Sequence, residues 1–225
     1  MSTNQLLKAD LHVHSYRSND SCSTPSAIVS RCLKTGINCL AITDHNTIEG
    51  ALEIQRIAPF TVIIGEEIKS SGGDIIGLFL NEVIPAGLTP LETAKAIKTQ
   101  SGLVMAPHPF DRVRSSAMGI KGFHEIITHL DLIETFNGRN WFNSSDIKAT
   151  ELSIKYKLGT VTVTDSHSTL ELGRSYNLMP QFDGTASGLL ASLTSSKAIM
   201  ARSRLITRLA PLSAKLRKRI GLVWH

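Results

Sequence analysis

Residues 9–15 read ADLHVHS, with apolar Ala9, Leu11 and Val13 alternating with Asp10, His12 and His14. That period of two is the pattern of a β-strand. In a strand, residues two apart point to the same face. His12 and His14 therefore aim their imidazoles one way, while Leu11 and Val13 look the other. Two ring nitrogens directed at one point call for something shared between them.

Outward from this strand, short apolar runs alternate with helix signatures. TPSAIVSRCLKTG (24–36) has Thr24 as a cap, Pro25 at the first helical position and Gly36 as the stop. INCLAITDH (37–45) reads as a strand, TIEGALEIQRIA (47–58) as a helix, and FTVIIGEEIKS (60–70) and GDIIGLFL (73–80) as strands. TPLETAKAIKTQSG (89–102) repeats the Thr-Pro start. GLVMAPHP (102–109) is a strand, GFHEIITH (122–129) a short helix and LDLIETFNG (130–138) a strand. NSSDIKATELSIKYKLG (143–159) is a helix with Asn and Ser caps, and TVTVTDSHS (160–168) closes a series of about seven strands. Apolar strands alternating with helices argue for an α/β fold, a parallel sheet or barrel covered by helices.

Nearly every one of these strands ends in histidine or a carboxylate: His12 and His14, Asp44 and His45, Glu66 and Glu67, His108, then Asp165 and His167. In a parallel α/β barrel the carboxyl ends of the strands converge on one face, and that face carries the chemistry. A single HP or DH dipeptide means little, since histidine also serves in cores. Five of the eight histidines at predicted strand ends is a different matter. Imidazole nitrogen and carboxylate oxygen suit zinc, manganese or iron. The set exceeds what one tetrahedral ion takes, which points to two or three divalent ions with Glu67 able to bridge. His124 and His129 read as surface helix histidines.

The chain has 225 residues, is 42% hydrophobic and 19% charged, and carries a formal charge of +5. No run of about eighteen apolar residues suggests a membrane span, and MSTNQLLKAD has no apolar signal region. Cys22, Cys32 and Cys39 lack metal-knuckle spacing and read as free thiols of a cytoplasmic protein. The positive charge is local. No acid follows Asp183, and Lys197, Arg202, Arg204, Arg208, Lys215, Arg217, Lys218 and Arg219 all lie beyond it. The sixteen bases left in residues 1–183 face all nineteen acids, a net of −3.

The ordered motifs DLHVHS, AITDHNT, GEEI, APHPF and TDSHS resemble those of the PHP family, the polymerase and histidinol phosphatase superfamily, over about residues 8–180. The resemblance implies a distorted seven-stranded (β/α)7 barrel with a di- or trinuclear metal centre, and hydrolysis of phosphate esters. Carried over residue by residue, it implies one ion held by His12, His14, Glu67 and Asp165, and a second by Asp20, His45 and His167. A third falls to Glu67 and His108. There the family has a further histidine and this chain offers Asp74. Asp44 is expected to orient His45 or a metal water, and Asp10 to support the pair beside it.

The expected function is a metal-dependent phosphoesterase that uses a metal-activated water. Asp44 and His167 are candidates to protonate the leaving oxygen. Arg112, Arg139, Arg174 and Asn137 are candidates to hold a small-molecule phosphate ester or short nucleotide; Arg114 lies beside Arg112 on the same loop. Arginine offers phosphate a planar fork. The barrel is expected over residues 1–180, with a basic, helix-compatible segment over 181–225 packed on it or extending from it. One reading lays that segment on the barrel with its bases in water; the other gives it to nucleic acid or an anionic surface. The alternatives to a phosphatase are a nuclease gripping nucleic acid with the tail, and an inactive, metal-stabilised regulatory module.

Overall fold

The computed structural model describes residues 6–219. Residues 1–5 and the end of the tail with Trp224 lie outside the described residues. The strands are β1 (Leu7–Val13), β2 (Cys39–Ile42), β3 (Thr61–Ser70), β4 (Gly73–Leu78), β5 (Leu103–Ala106), β6 (Leu132–Asn137), β7 (Gly159–Val163), β8 (Tyr176–Met179) and β9 (Lys197–Ile199). The helices are α1 (Pro25–Thr35), α2 (Glu49–Ile57), α3 (Pro90–Thr99), α4 (Gly119–Ile126), α5 (Asn143–Tyr156), α6 (Ala186–Leu193), α7 (Leu205–Arg208) and α8 (Ala210–Arg219).

The helix starts follow capping chemistry. Thr24 accepts from the N–H of Ala27 and Pro25 opens α1, which stops at Gly36 with φ 77°. Thr89 and Glu92 form a reciprocal capping box at α3. The Asn and Ser caps expected for α5 are not made: its cap position is Phe142, with no side-chain bond.

All nine strands join one sheet in the order β7-β6-β5-β4-β3-β2-β1-β8-β9. Pairings β1–β2, β2–β3, β5–β6 and β6–β7 are parallel. β4 runs antiparallel to both neighbours, so the series is not uniformly parallel. The reason is local: Ser71 and Gly72 alone link β3 to β4, which is too short for a crossover. Gly73 closes this turn at φ 123°, and a Cβ there would lie 2.3 Å from Met118 Cα. β8 and β9 were not expected from the sequence. They extend the sheet beyond β1 in antiparallel pairs.

The sheet curls until the end of β7 meets β1. Val13 and Ser166 form a parallel bridge, and His14 N–H donates to Ser166 O at 2.9 Å. Side chains stitch the rest of this seam. Asp10 accepts from Thr164 N–H at 3.1 Å and from its hydroxyl at 2.5 Å. Asn177 donates to Ala9 O at 3.1 Å and to Thr162 O at 2.9 Å. The result is a nearly closed, barrel-like sheet of nine strands in an α/β fold.

Three apolar layers fill it. One draws on β1 to β8 and on Leu189 and Leu193 of α6; the others seat α3, α4 and α5, and α1 and α2, against the sheet. Leu11 belongs to the first layer and Val13 to the α1–α2 layer. The expectation that they share a face fails because the β1–β2 register shifts between Asp10 and Val13.

Candidate metal centre

Glu67, near the middle of β3, is buried and has imidazoles on every side. Its Oε2 lies 3.4 Å from His12 Nε2, 3.3 Å from His14 Nε2 and 3.2 Å from His45 Nδ1. Its Oε1 lies 3.0 Å from His108 Nε2. Asp165 Oδ1 faces His12 and His14 Nε2, each at 3.6 Å. Asp20, on the loop after β1, reaches His45 Nε2 at 3.3 Å and His167 Nε2 at 3.4 Å. Three donor groups converge within 4.8 Å: His14, Asp20, His45 and His167; His12, Glu67 and His108; and His12, His14 and Asp165.

The donor chemistry fits divalent cations. Nitrogen and carboxylate oxygen are the only donors, the set borderline metals favour. Asp20 Oδ1, Asp165 Oδ1 and His108 Nδ1 are buried without a hydrogen-bond partner. Such atoms are costly unless something polar or charged meets them. Backbone strain adds to this picture: His108 has φ 27° and Asp165 φ 55°. Neither is glycine, and such conformations cluster where a side chain must be aimed.

The electrostatics keep the carboxylates ionised. Burial alone would raise Asp165, but the Arg114 guanidinium and His12 hold it well below the usual carboxylate range. Burial is likewise overcome at Glu67 by His12 and His45, and at Asp20 by the nearby imidazoles of His167 and His45. His14 is pushed up to about 9, because the carboxylates of Asp165 and Glu67 beside it outweigh its burial. His167 goes the other way, to about 4, through burial and the neighbouring His14.

A cleft of about 330 Å³ opens onto this cluster. Its walls include Asp20, His45, Glu67, Asp74, Arg114 and His167. Asp74 thus lines the cleft but belongs to none of the three donor groups. Burial, the Glu67 charge and its bond with Ser116 govern its carboxyl, with the net effect upward.

Several expected roles do not match the positions found. Asp44 is fully buried and holds the loop after β1, accepting from Ser15 N–H (2.7 Å) and hydroxyl (2.5 Å) and from Ser18 N–H (3.2 Å) and hydroxyl (2.6 Å). Ser18 Oγ in turn lies 3.0 Å from His14 Nδ1. Asp44 therefore fixes His14 at one remove and does not line the cleft. Arg112 is exposed and lines a neighbouring cavity instead. Asn137 points inward and donates to Glu134 at 2.8 Å and Asp165 at 3.1 Å. Arg139 lines the cleft, but its guanidinium is tied to Glu171 at 2.9 Å and to the carbonyls of Thr207 and Arg208. Arg174 donates to Arg202 O at 2.9 Å, away from the cleft.

The match to known proteins agrees with this arrangement. Residues 10–140 match the family model described as the PHP domain, more than half the chain. The chain belongs to the PHP domain family. An uncharacterised protein of Methanocaldococcus jannaschii is 43% identical over 144 residues, 58% of this chain and 82% of that one. A second from the same organism is 35% identical over 173 residues, 76% of this chain and 69% of its own length. A 5′-3′ exoribonuclease of Haemophilus influenzae is 30% identical over 127 residues, half of this chain and 46% of that one. Among solved structures, a two-domain protein of Bacteroides vulgatus containing a predicted PHP-like metal-dependent phosphoesterase superposes with TM-score 0.69. It is 16% identical, with 93% of this chain and 70% of that one covered.

In this PHP domain, one site residue, Glu134, has no counterpart among the sequence expectations. Glu134 of β6 is buried, takes the Nδ1–H of His12 at 2.6 Å and the backbone N–H of His108 at 2.7 Å. Its only sequence signal is an acid inside an apolar strand, LIETFN. Of the two arginines on the loop after His108, Arg114, the less favoured from the sequence, is the one at the cleft. It pairs with Asp165 at 2.5 Å and with Asp111 at 3.4 Å.

Proposed function

We propose that this PHP domain hydrolyses a phosphate ester, using a metal-activated water at a di- or trinuclear centre. The observation that carries the reading is Glu67, whose two oxygens face four imidazoles at 3.0–3.4 Å. Divalent ions held by these donors would supply charge neutralisation at phosphate oxygens and would lower the pKa of water towards 7. His12, His14, Glu67 and Asp165 are assigned to one ion, Asp20, His45 and His167 to a second, and Glu67 with His108 to a third. Both Glu67 oxygens face imidazoles, so Glu67 would be able to serve more than one ion.

The chain's own residues orient the substrate. Arg114 uses Nε towards Asp111 and one terminal nitrogen on Asp165. Its other terminal nitrogen has no ion-pair partner among the described residues and suits a phosphoryl oxygen. Of the two groups considered for proton transfer, His167 lines the cleft and Asp44 does not. Asp44 is a positioning residue.

The relative described as a 5′-3′ exoribonuclease favours a second reading, in which the ester is a nucleic-acid phosphodiester. Metal content after reconstitution with manganese, zinc or iron, measured beside turnover of phosphomonoesters and short oligoribonucleotides, tests both. The expected result is more than one ion per chain and release of phosphate, with Asp165→Ala losing both. Retained turnover in Asp165→Ala overturns the metal mechanism. Stepwise shortening of oligoribonucleotides with no monoester turnover selects the second reading.

A further inference from the structure

The basic tail does not lie on the protein as an amphipathic segment should. Through α7, the helical turn at Leu209 and α8, Leu205, Leu209, Leu212 and Leu216 recur at steps of four, three and four, the spacing of one helical face. The opposite face, with Thr207 and Ala214, is the buried one. The four leucines and Ile206 are 60–75% exposed. Apolar rows of this length are seldom left in water, and mark contact surfaces.

Bases lie beside the leucines. Arg204 precedes Leu205 and Lys215 precedes Leu216, and these two, with Arg217 and Arg219, are exposed. No acid occurs anywhere in residues 184–225. Arg208 is braced over the Trp141 ring at 4.3 Å, and Lys218 points back to the carbonyls of Tyr16 and Ser18. Arg208 and Lys218 thus hold the segment to the protein, and the leucines and the exposed bases are left for a partner.

We propose that α7–α8 docks on an anionic lipid bilayer, lying in the plane of the interface with the leucines among the acyl chains and the bases on the lipid phosphates. Charge decides between occupants. A second copy packed along this face would set base against base, with no acid in the segment to relieve it. Nucleic acid would meet the bases but leave the leucine row in water. An anionic bilayer satisfies both at once. Among the described residues no helix is long and apolar enough to cross a membrane, so the contact is with the surface. The same helix borders the cleft: Pro211 is part of its wall and Lys215 Nζ lies 3.7 Å from Asp20. Docking would bring the mouth of the site to the bilayer surface.

The test is flotation of the full chain with vesicles of phosphatidylcholine alone, or of phosphatidylcholine and phosphatidylglycerol in equal parts. Binding is expected only with phosphatidylglycerol. It should weaken as the Debye length falls from about 10 Å to about 3 Å between 0.1 M and 1 M salt. The triple variant Leu209→Gln, Leu212→Gln, Leu216→Gln should lose on the order of a hundredfold in partitioning. Because these side chains are exposed, its thermal melt should match the parent. Arg204→Gln with Arg219→Gln should weaken binding at low salt. Failure to float with phosphatidylglycerol overturns the proposal, as does binding that the leucine variant leaves intact. A dimer in sedimentation that the leucine variant converts to monomer overturns it in favour of a second copy. Tighter retention on RNA, indifferent to the leucine variant, overturns it in favour of nucleic acid.

Discussion

Replacing Glu134 with glutamine changes one atom for a near-isostere, and the structure says what that costs. Glu134 Oε1 accepts the Nδ1–H of His12 at 2.6 Å, and Oε2 accepts the His108 N–H at 2.7 Å and the Asn137 amide at 2.8 Å. Every neighbour is a donor, so an acceptor-only carboxylate satisfies all three. Glutamine has one acceptor oxygen and must choose. If that oxygen faces His108 and Asn137, its NH2 group meets His12, whose proton must move to Nε2. That nitrogen is the one aimed at His14, Glu67 and Asp165, so the tautomer removes a lone pair from the donor cluster. Loss of such a support lowers metal affinity roughly 10–100-fold. If the oxygen faces His12 instead, two donors lose a charged acceptor, at roughly 1.5–3 kcal/mol each. Chelator competition reads the first outcome and a melt of the metal-loaded protein reads the second. A variant with affinity within twofold of the parent and an unchanged melt would refute the assignment of Glu134 as the residue that fixes His12.

Arg114→Ala should lower kcat/KM for a phosphate ester roughly 10–100-fold, the worth of a charge-assisted bond, while Arg112→Ala stays near the parent; equal losses in steady-state assays would contradict the choice between them. Gly50→Ala places a Cβ 2.1 Å from Asp44 Oδ2 and 2.3 Å from Ser15 Oγ, so it should cost about 1–3 kcal/mol in denaturant unfolding by forcing the Asp44 clasp apart. With a thiol reagent, Cys22 alone should react in the native protein. Cys32 and Cys39 are buried, and burial pushes both thiols up to about 12; mass-spectrometric labelling of either before unfolding would be the contrary result. Chelation should lower the melting temperature, since an ion present at a hundred times its Kd stabilises the fold by about 2.7 kcal/mol; a melt indifferent to chelator would show that the donors hold nothing.

The legible part of this molecule is the part with local signals. Thr24-Pro25 and Thr89-Pro90 announce helix starts whatever the rest of the chain does, and a histidine at the end of an apolar run marks a strand end. Glu134 has no such signal. Its partner His12 is 122 residues away, and only the curl that brings β6 opposite β1 gives the acid a purpose. Arg112 and Arg114 sit on one irregular loop, where no periodicity tells which of two arginines turns inward. β8 and β9 have four and three residues, too few for a pattern. They exist because β1 offers a free edge, and Asn177 secures β8 across the seam. The leucines of α8 misled for a different reason. Helical spacing identifies a face but not the side on which the protein lies.

Strain and support in the centre belong to one network. His108 and Asp165 occupy left-handed φ beyond the ends of β5 and β7, on either side of β6, a cost on the order of 1–3 kcal/mol each. Such a conformation persists only where the surroundings over-determine it. For His108 the hold is its N–H on Glu134, and its carbonyl accepts from Asp111 N–H at 3.2 Å. For Asp165 it is the carboxylate, gripped by Arg114 and Asn137, with the carbonyl bonded to His167 Nδ1 at 2.9 Å. Asn137 touches both Glu134 and Asp165, so the two strained residues share a brace. Asn137→Ala should therefore disturb both. Metal affinity should fall together at the groups containing His108 and Asp165, while the group of Asp20, His45 and His167 is less affected. Site-resolved occupancy by anomalous scattering would show this difference. Uniform loss across all three groups would mean that Asn137 supports the fold at large and does not aim these two side chains.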